Sequence, residues 1–163
     1  MSEYSGHDLE QAAAPGRTKP SNALLAIGVG GAIAGIIDLS QACILFGWSI
    51  PLAIAGGVRG AAAFQGGAGN YVLGVCLHFF NAFSFAAFYY AASRRLTFLR
   101  EYPLVCGLMY GAAADQVMTL VVLPLSALHA RGPYRLQDLL VGIAVHMVVI
   151  GLPIAYSVRK FAR

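Results

Sequence analysis

Four long runs of mostly apolar residues, at about 22–46, 71–93, 104–128 and 139–158, constrain this chain more than any other feature. Each can cross a hydrocarbon core of roughly 30 Å as a helix rising about 1.5 Å per residue. A single run in lipid satisfies its own backbone only as a helix. The expected fold is therefore all-α, an integral membrane four-helix bundle. Residues 22–163 form one membrane domain, and residues 1–21 are expected as a disordered cytoplasmic tail. That tail carries Glu3, Asp8, Glu10, Pro15 and Pro20 and lacks the basic start and apolar run of a signal peptide.

Charge agrees with this reading. Only 11% of the 163 residues are charged, against about 25% in a soluble domain, so water cannot cover most of the surface. No stretch is left for a separate catalytic domain. The net charge of +4 comes from Arg and Lys near the ends of the apolar runs. Without a basic stripe interleaved with exposed aromatics, the expected partner is the lipid bilayer and not nucleic acid. Cys43, Cys76 and Cys106 lie inside apolar runs without metal-site or disulfide spacing, and read as small packing residues.

The piece between the first two runs differs. Its apolar part, 51–64, would be about 20 Å long as a helix, and it contains Arg59 and a Gly pair. That is short for a span and reads as an interfacial or re-entrant segment. With four spans and an inner N-terminus, Arg17, Lys19, Arg94, Arg95, Arg100, Arg159, Lys160 and Arg163 fall inside. Only Arg59, Arg131 and Arg135 fall outside. Both termini are then cytoplasmic, and Arg59 is a candidate gate or lipid anchor at the outer face. Trp48 and Tyr71 outside, with Tyr89, Tyr90, Tyr102 and Tyr156 inside, are placed as interface anchors.

Within the runs, small residues mark helix contacts. Gly28, Gly31 and Gly35 lead to Asp38, and Gly107 and Gly111 lead to Asp115. Such faces let helices approach closely. The string NYVLGVCLH, from Asn70 to His78, is echoed by DLLVGIAVH, from Asp138 to His146, each with a candidate cap, a Gly (Gly74, Gly142) and a His. Ile50-Pro51-Leu52 is likewise echoed by Leu123-Pro124-Leu125. Two related hairpins, forming a parallel internal repeat, account for these echoes.

The polar groups inside the runs are Asp38, Gln41, His78, Asn81, Asp115, Gln116 and His146. Counted from the helix ends, both His lie about 12 Å below the outer face, and Asp115 about 18 Å above the inner one. Lipid cannot solvate them, so they should converge inside the bundle. Several roles stay open. The groups can be interhelical glue in a structural or assembly subunit. They can relay protons, since an imidazole beside a carboxylate exchanges protons near neutral pH. His78 and His146 could be axial ligands of a b-type haem in an electron-transfer subunit, although no Arg stands near to meet propionates. A carboxylate and imidazole metal site is a further alternative. No soluble-type catalytic constellation appears, so no catalytic residue, cofactor or metal is assigned. The favoured expectation is proton-linked or small-solute passage. Four spans enclose little volume, so a homodimer or larger membrane complex would serve transport.

The stretch GAAADQVMTLVVLPLSAL, followed by a His-bearing last helix and a basic tail, resembles the small uncharacterised bacterial inner-membrane proteins of the YagU-like type. The likeness covers roughly the last 60 residues. It implies a multi-span protein of the bacterial inner membrane, without a substrate and without functional residues to carry over.

Overall fold

The computed structural model describes residues 22–162, so the tail expected at 1–21 lies outside the described residues. Helix α1 spans Ala23–Phe46, where the Asn22 side chain accepts a hydrogen bond from the Leu25 amide at 3.2 Å and satisfies one orphan donor of the first turn. Gly47, at φ +96°, turns the chain into α2, Ile50–Arg59, which continues as a 3-10 turn over Gly60–Gln65. Then come α3 (Ala68–Arg95), the single turn α4 (Phe98–Glu101), α5 (Pro103–Leu125) and α6 (Leu136–Phe161). Among the described residues there is no strand.

Helices α1, α3, α5 and α6 are long and apolar enough to cross a membrane. Large apolar side chains such as Leu24, Ile44, Phe80, Phe88 and Leu125 point outward, the arrangement of an integral membrane protein, whose outer surface meets lipid. The interior is built from small side chains, including Ala26, Ala34, Ala86, Ala114 and Ala155, with Ile150, Ile154 and Val158. Their size lets backbones come close, and dispersion then acts over many atom pairs.

Helix α1 is wedged between α3 and α6, α5 lies along α6, and α2 crosses α3. The backbones of α3 and α5 stay apart, and Tyr110 of α5 bridges the gap to Phe85 and Tyr89 of α3. Glycines sit at the closest crossings. A methyl at Gly74 would overlap the Pro51 carbonyl, one at Gly111 the His146 carbonyl, and one at Gly151 the Gly107 carbonyl. Gly31 and Gly35 face Phe83 and Phe79 of α3, whereas Gly30 faces Ile154 and Ser157 of α6. The Ser157 hydroxyl donates to the Ala26 carbonyl at 2.9 Å and ties α6 to α1.

Gly28, expected on the same packing stripe, has nothing within 4 Å of where a side chain would start. Its rotational phase matches Gly31 and Gly35, but no partner stands at its height. Tyr89 is also corrected. It is not an interface anchor but a core residue, 1% exposed, whose hydroxyl donates to the Leu99 carbonyl at 2.9 Å. Asn70 and Asp138 do not cap their helices, because α3 begins at Ala68 and α6 at Leu136, each placing the residue inside the first turn.

Two interruptions of the α-helical ladder were not anticipated. Met118–Val122 in α5 and Met147–Gly151 in α6 wind as π turns, and each is followed at once by a Leu-Pro pair. Pro124 and Pro153 lack an amide hydrogen, and in a regular helix their rings would strike the carbonyl four residues back. That carbonyl lies within the wider π turn in both cases, at Leu120 and Val149. The wider turn accommodates the ring and shifts the helical phase of everything that precedes it.

Candidate functional site

Each of the four long helices delivers one titratable side chain to a common interior point. Asp38 comes from α1, His78 from α3, Asp115 from α5 and His146 from α6. Asp38 is the middle of the arrangement. One carboxylate oxygen lies 3.9 Å from His78 Nε2 and the other 3.8 Å from His146 Nε2. On its far side, His146 Nδ1 lies 3.1 Å from Asp115 Oδ1. The order is therefore His78, Asp38, His146, Asp115, with acid and base alternating.

Local hydrogen bonds orient the rings. His78 Nε2 sits 2.9 Å from the Gly35 carbonyl, which can only accept, so that nitrogen carries the proton. His146 Nδ1 sits 2.8 Å from the Gly142 carbonyl one turn back, and so donates as well. Gly142 has a second role, since a methyl there would stand 3.0 Å from Asp115 Oδ1. The other Asp115 oxygen accepts from Gln116 Nε2 at 2.8 Å, and Asp115 is only 5% exposed.

Two of the three links exceed hydrogen-bond length. They open onto a cavity of about 190 Å³ lined by Asp38, His78, Asn81 and His146, with Ile54 of α2 on one side and Phe85 on another. At about 30 Å³ per molecule the space holds several waters, and Asp38, His78, Asn81 and His146 offer them partners within an otherwise apolar lining. No Lys or Arg lines it among the described residues. Beyond Phe85 the interior is closed by an aromatic stack. The Tyr110 hydroxyl donates to the Phe85 carbonyl at 2.7 Å, and the Tyr110 ring meets Tyr89 edge-on with centroids 4.8 Å apart.

Of the other polar residues singled out in the sequence, Asn81 lines the cavity and Gln116 supports Asp115. Gln41 does not line the cavity and is partly exposed. It stands three residues from Asp38, and that step leaves it about 60° off the carboxylate's direction. Arg59 is not directed at Asp38. Its guanidinium donates to Asn70 Oδ1 at 2.7 Å, while Asn70 Nδ2 donates to the Gly66 carbonyl at 2.8 Å. The pair fastens the segment after α1 to the start of α3. Sequence reasoning missed this pairing and also Gly30; the Asn and Arg signals were visible, but their separation of eleven residues spans an irregular turn. Among the described residues, no three His, Cys, Asp or Glu side chains are grouped so as to hold a metal ion. No known family, no curated protein and no solved structure matches the chain, so the chemistry of the site rests on its geometry.

Proposed function

We propose that this protein is a small membrane protein that passes protons through the chain His78, Asp38, His146, Asp115, in support of proton-linked or small-solute passage. The observation that carries the reading is that all four spans contribute one proton-exchanging group to a single acid and base sequence around a polar cavity. Ionisable groups inside a membrane are costly to place and are commonly used to move protons or ions. Imidazole exchanges a proton near neutral pH, and a carboxylate beside it supplies the acceptor.

The rival reading treats the same groups as glue. Glue gains from direct bonds, yet both contacts of Asp38 with imidazole are nearly 4 Å long and face open space. Charged groups held apart in that way add little net stability. Waters in the cavity would instead complete a path. A haem between His78 and His146 fits less well, because the Asp38 carboxylate stands near both Nε2 atoms and His78 Nε2 already bonds to Gly35.

The wider frame of this proposal is a four-helix bundle of two related hairpins, with the α2 segment at the outer interface and both termini cytoplasmic. A bacterial inner membrane is the setting that the YagU-like resemblance supports. Among the described residues the π turns occur only in α5 and α6, so the second hairpin would be the modified copy. A homodimer would supply more enclosed volume for a transported solute.

Proteoliposomes with an imposed pH gradient and a trapped pH-sensitive dye test the proposal. Asp115→Asn should bring proton flux down to the level of empty vesicles while the protein stays monodisperse in detergent. Undiminished flux in that variant would leave glue as the role of the cluster.

A further inference from the structure

The cavity has an apolar annex that reaches the lipid. Because the backbones of α3 and α5 stay apart, a groove of about 430 Å³ runs between them. Ser84, Phe85 and Phe88 form one wall, and Tyr110, Ala113 and Val117 the other. Groove and cavity share the lining residues Asn81, Phe85, Ala114 and Met118, so they adjoin. At their junction the Asn81 carboxamide makes no hydrogen bond with any described residue and is available to a ligand.

We propose that this groove and cavity bind a lipophilic organic cation, one with an apolar or aromatic body and a single positive charge, in exchange for a proton. The inference rests on the proton-relay reading and names its substrate class. Charge complementarity carries it. Asp38 lines the cavity, the titratable groups nearest it are His78 of α3 and His146 of α6, and Asp115 lies behind His146 at 3.1 Å from its Nδ1. Helix α2 contributes the apolar Ile54, and Arg59 is turned to Asn70. Two carboxylates are therefore balanced only by two imidazoles, and only when both imidazoles hold a second proton. An entering monovalent cation restores the same balance when one imidazolium releases its N–H proton to water. One cation enters and one proton leaves, the imidazolium N–H bond breaking as an O–H bond to water forms.

The groove matches the body of such a ligand. Its walls are mostly apolar and include the aromatic side chains of Phe85, Phe88 and Tyr110, a residue type that attracts cations. Entry from the side also suits a molecule that partitions into lipid before it binds.

The test uses the full chain in detergent, with tetraphenylphosphonium as the cation and triphenylphosphine oxide as a neutral analogue of similar shape. Titration calorimetry in buffers of different ionisation heat reads affinity and protons released together. Tetraphenylphosphonium should bind far better than the neutral analogue, releasing close to one proton per cation. Asp38→Asn or Asp115→Asn should weaken binding by roughly 10- to 100-fold, the loss of one charge-assisted contact. Ala113→Trp fills the groove without touching the cluster and should block binding even if the Asp variants fold poorly. Equal affinity for the neutral analogue, full binding in Ala113→Trp, or no proton release would overturn the inference. Proton flux without cation binding would leave the relay standing and remove this substrate. Cation binding with no proton flux in vesicles would do the reverse.

Discussion

Gly111 offers the sharpest test of how packing sets the site. In Gly111→Ala the new methyl would overlap the His146 carbonyl and stand 2.5 Å from the Met147 Cα, where ordinary contact begins at 3.4 Å. Both obstacles are backbone, so no rotamer change relieves them. Helices α5 and α6 must separate by roughly 0.9 Å at this level. The same movement carries the His146 to Asp115 contact from 3.1 Å to about 4 Å, past hydrogen-bond range. Overpacking of this kind costs about 1–3 kcal/mol. Gly28→Ala is the matched control, since nothing lies within 4 Å of its new methyl. There the better helix propensity of Ala should leave stability unchanged or raise it by up to about 1 kcal/mol. Reversible unfolding in mixed micelles measures both variants, and proton flux in vesicles should fall in the first and persist in the second. If Gly111→Ala matches the parent protein in stability and flux, then neither the closeness of α5 and α6 nor its role in setting the Asp115 to His146 contact is correct.

Other variants probe separate parts of the molecule. Asn70→Ala removes the bonds to Arg59 and to the Ala63 and Gly66 carbonyls; a cost of about 1–3 kcal/mol is expected, with faster amide hydrogen exchange over 50–65 as the readout. Tyr89→Phe leaves the Leu99 carbonyl without its partner, which should cost about 1–3 kcal/mol by the same unfolding assay while leaving proton flux intact. In Pro153→Ala a backbone N–H returns after the α6 π turn. If the proline imposes that turn, stability should rise or hold while flux falls, because His146 rotates away from Asp115; unchanged flux would show that packing against Gly111 holds the turn by itself.

The sequence by itself determined the four spanning helices, the short helical segment after the first of them, and the set of polar residues that had to be turned inward. All three follow from free energies that act locally. Apolar runs of sufficient length specify spans, 51–64 is too short to be one, and carboxylates and imidazoles cannot face lipid whatever their neighbours are. His78, Asp115 and His146 were legible at one level because helical rise converts residue number into depth, whereas the same count put Asp38 nearer the outer face and only its need to turn away from lipid joined it to them.

Only the tertiary structure decided the order within that cluster, with Asp38 between the two imidazoles and Asp115 beyond His146. Depth does not specify which faces oppose one another. That depends on helix rotation, and two π turns shift the phase of α5 and α6 away from the regular 3.6-residue repeat on which sequence patterns rely. Contact also requires a partner at the same height. Gly28, on the face of Gly31 and Gly35, meets open space for that reason, whereas rotation puts Gly30 against α6; packing likewise buries Tyr89 and turns Arg59 to Asn70.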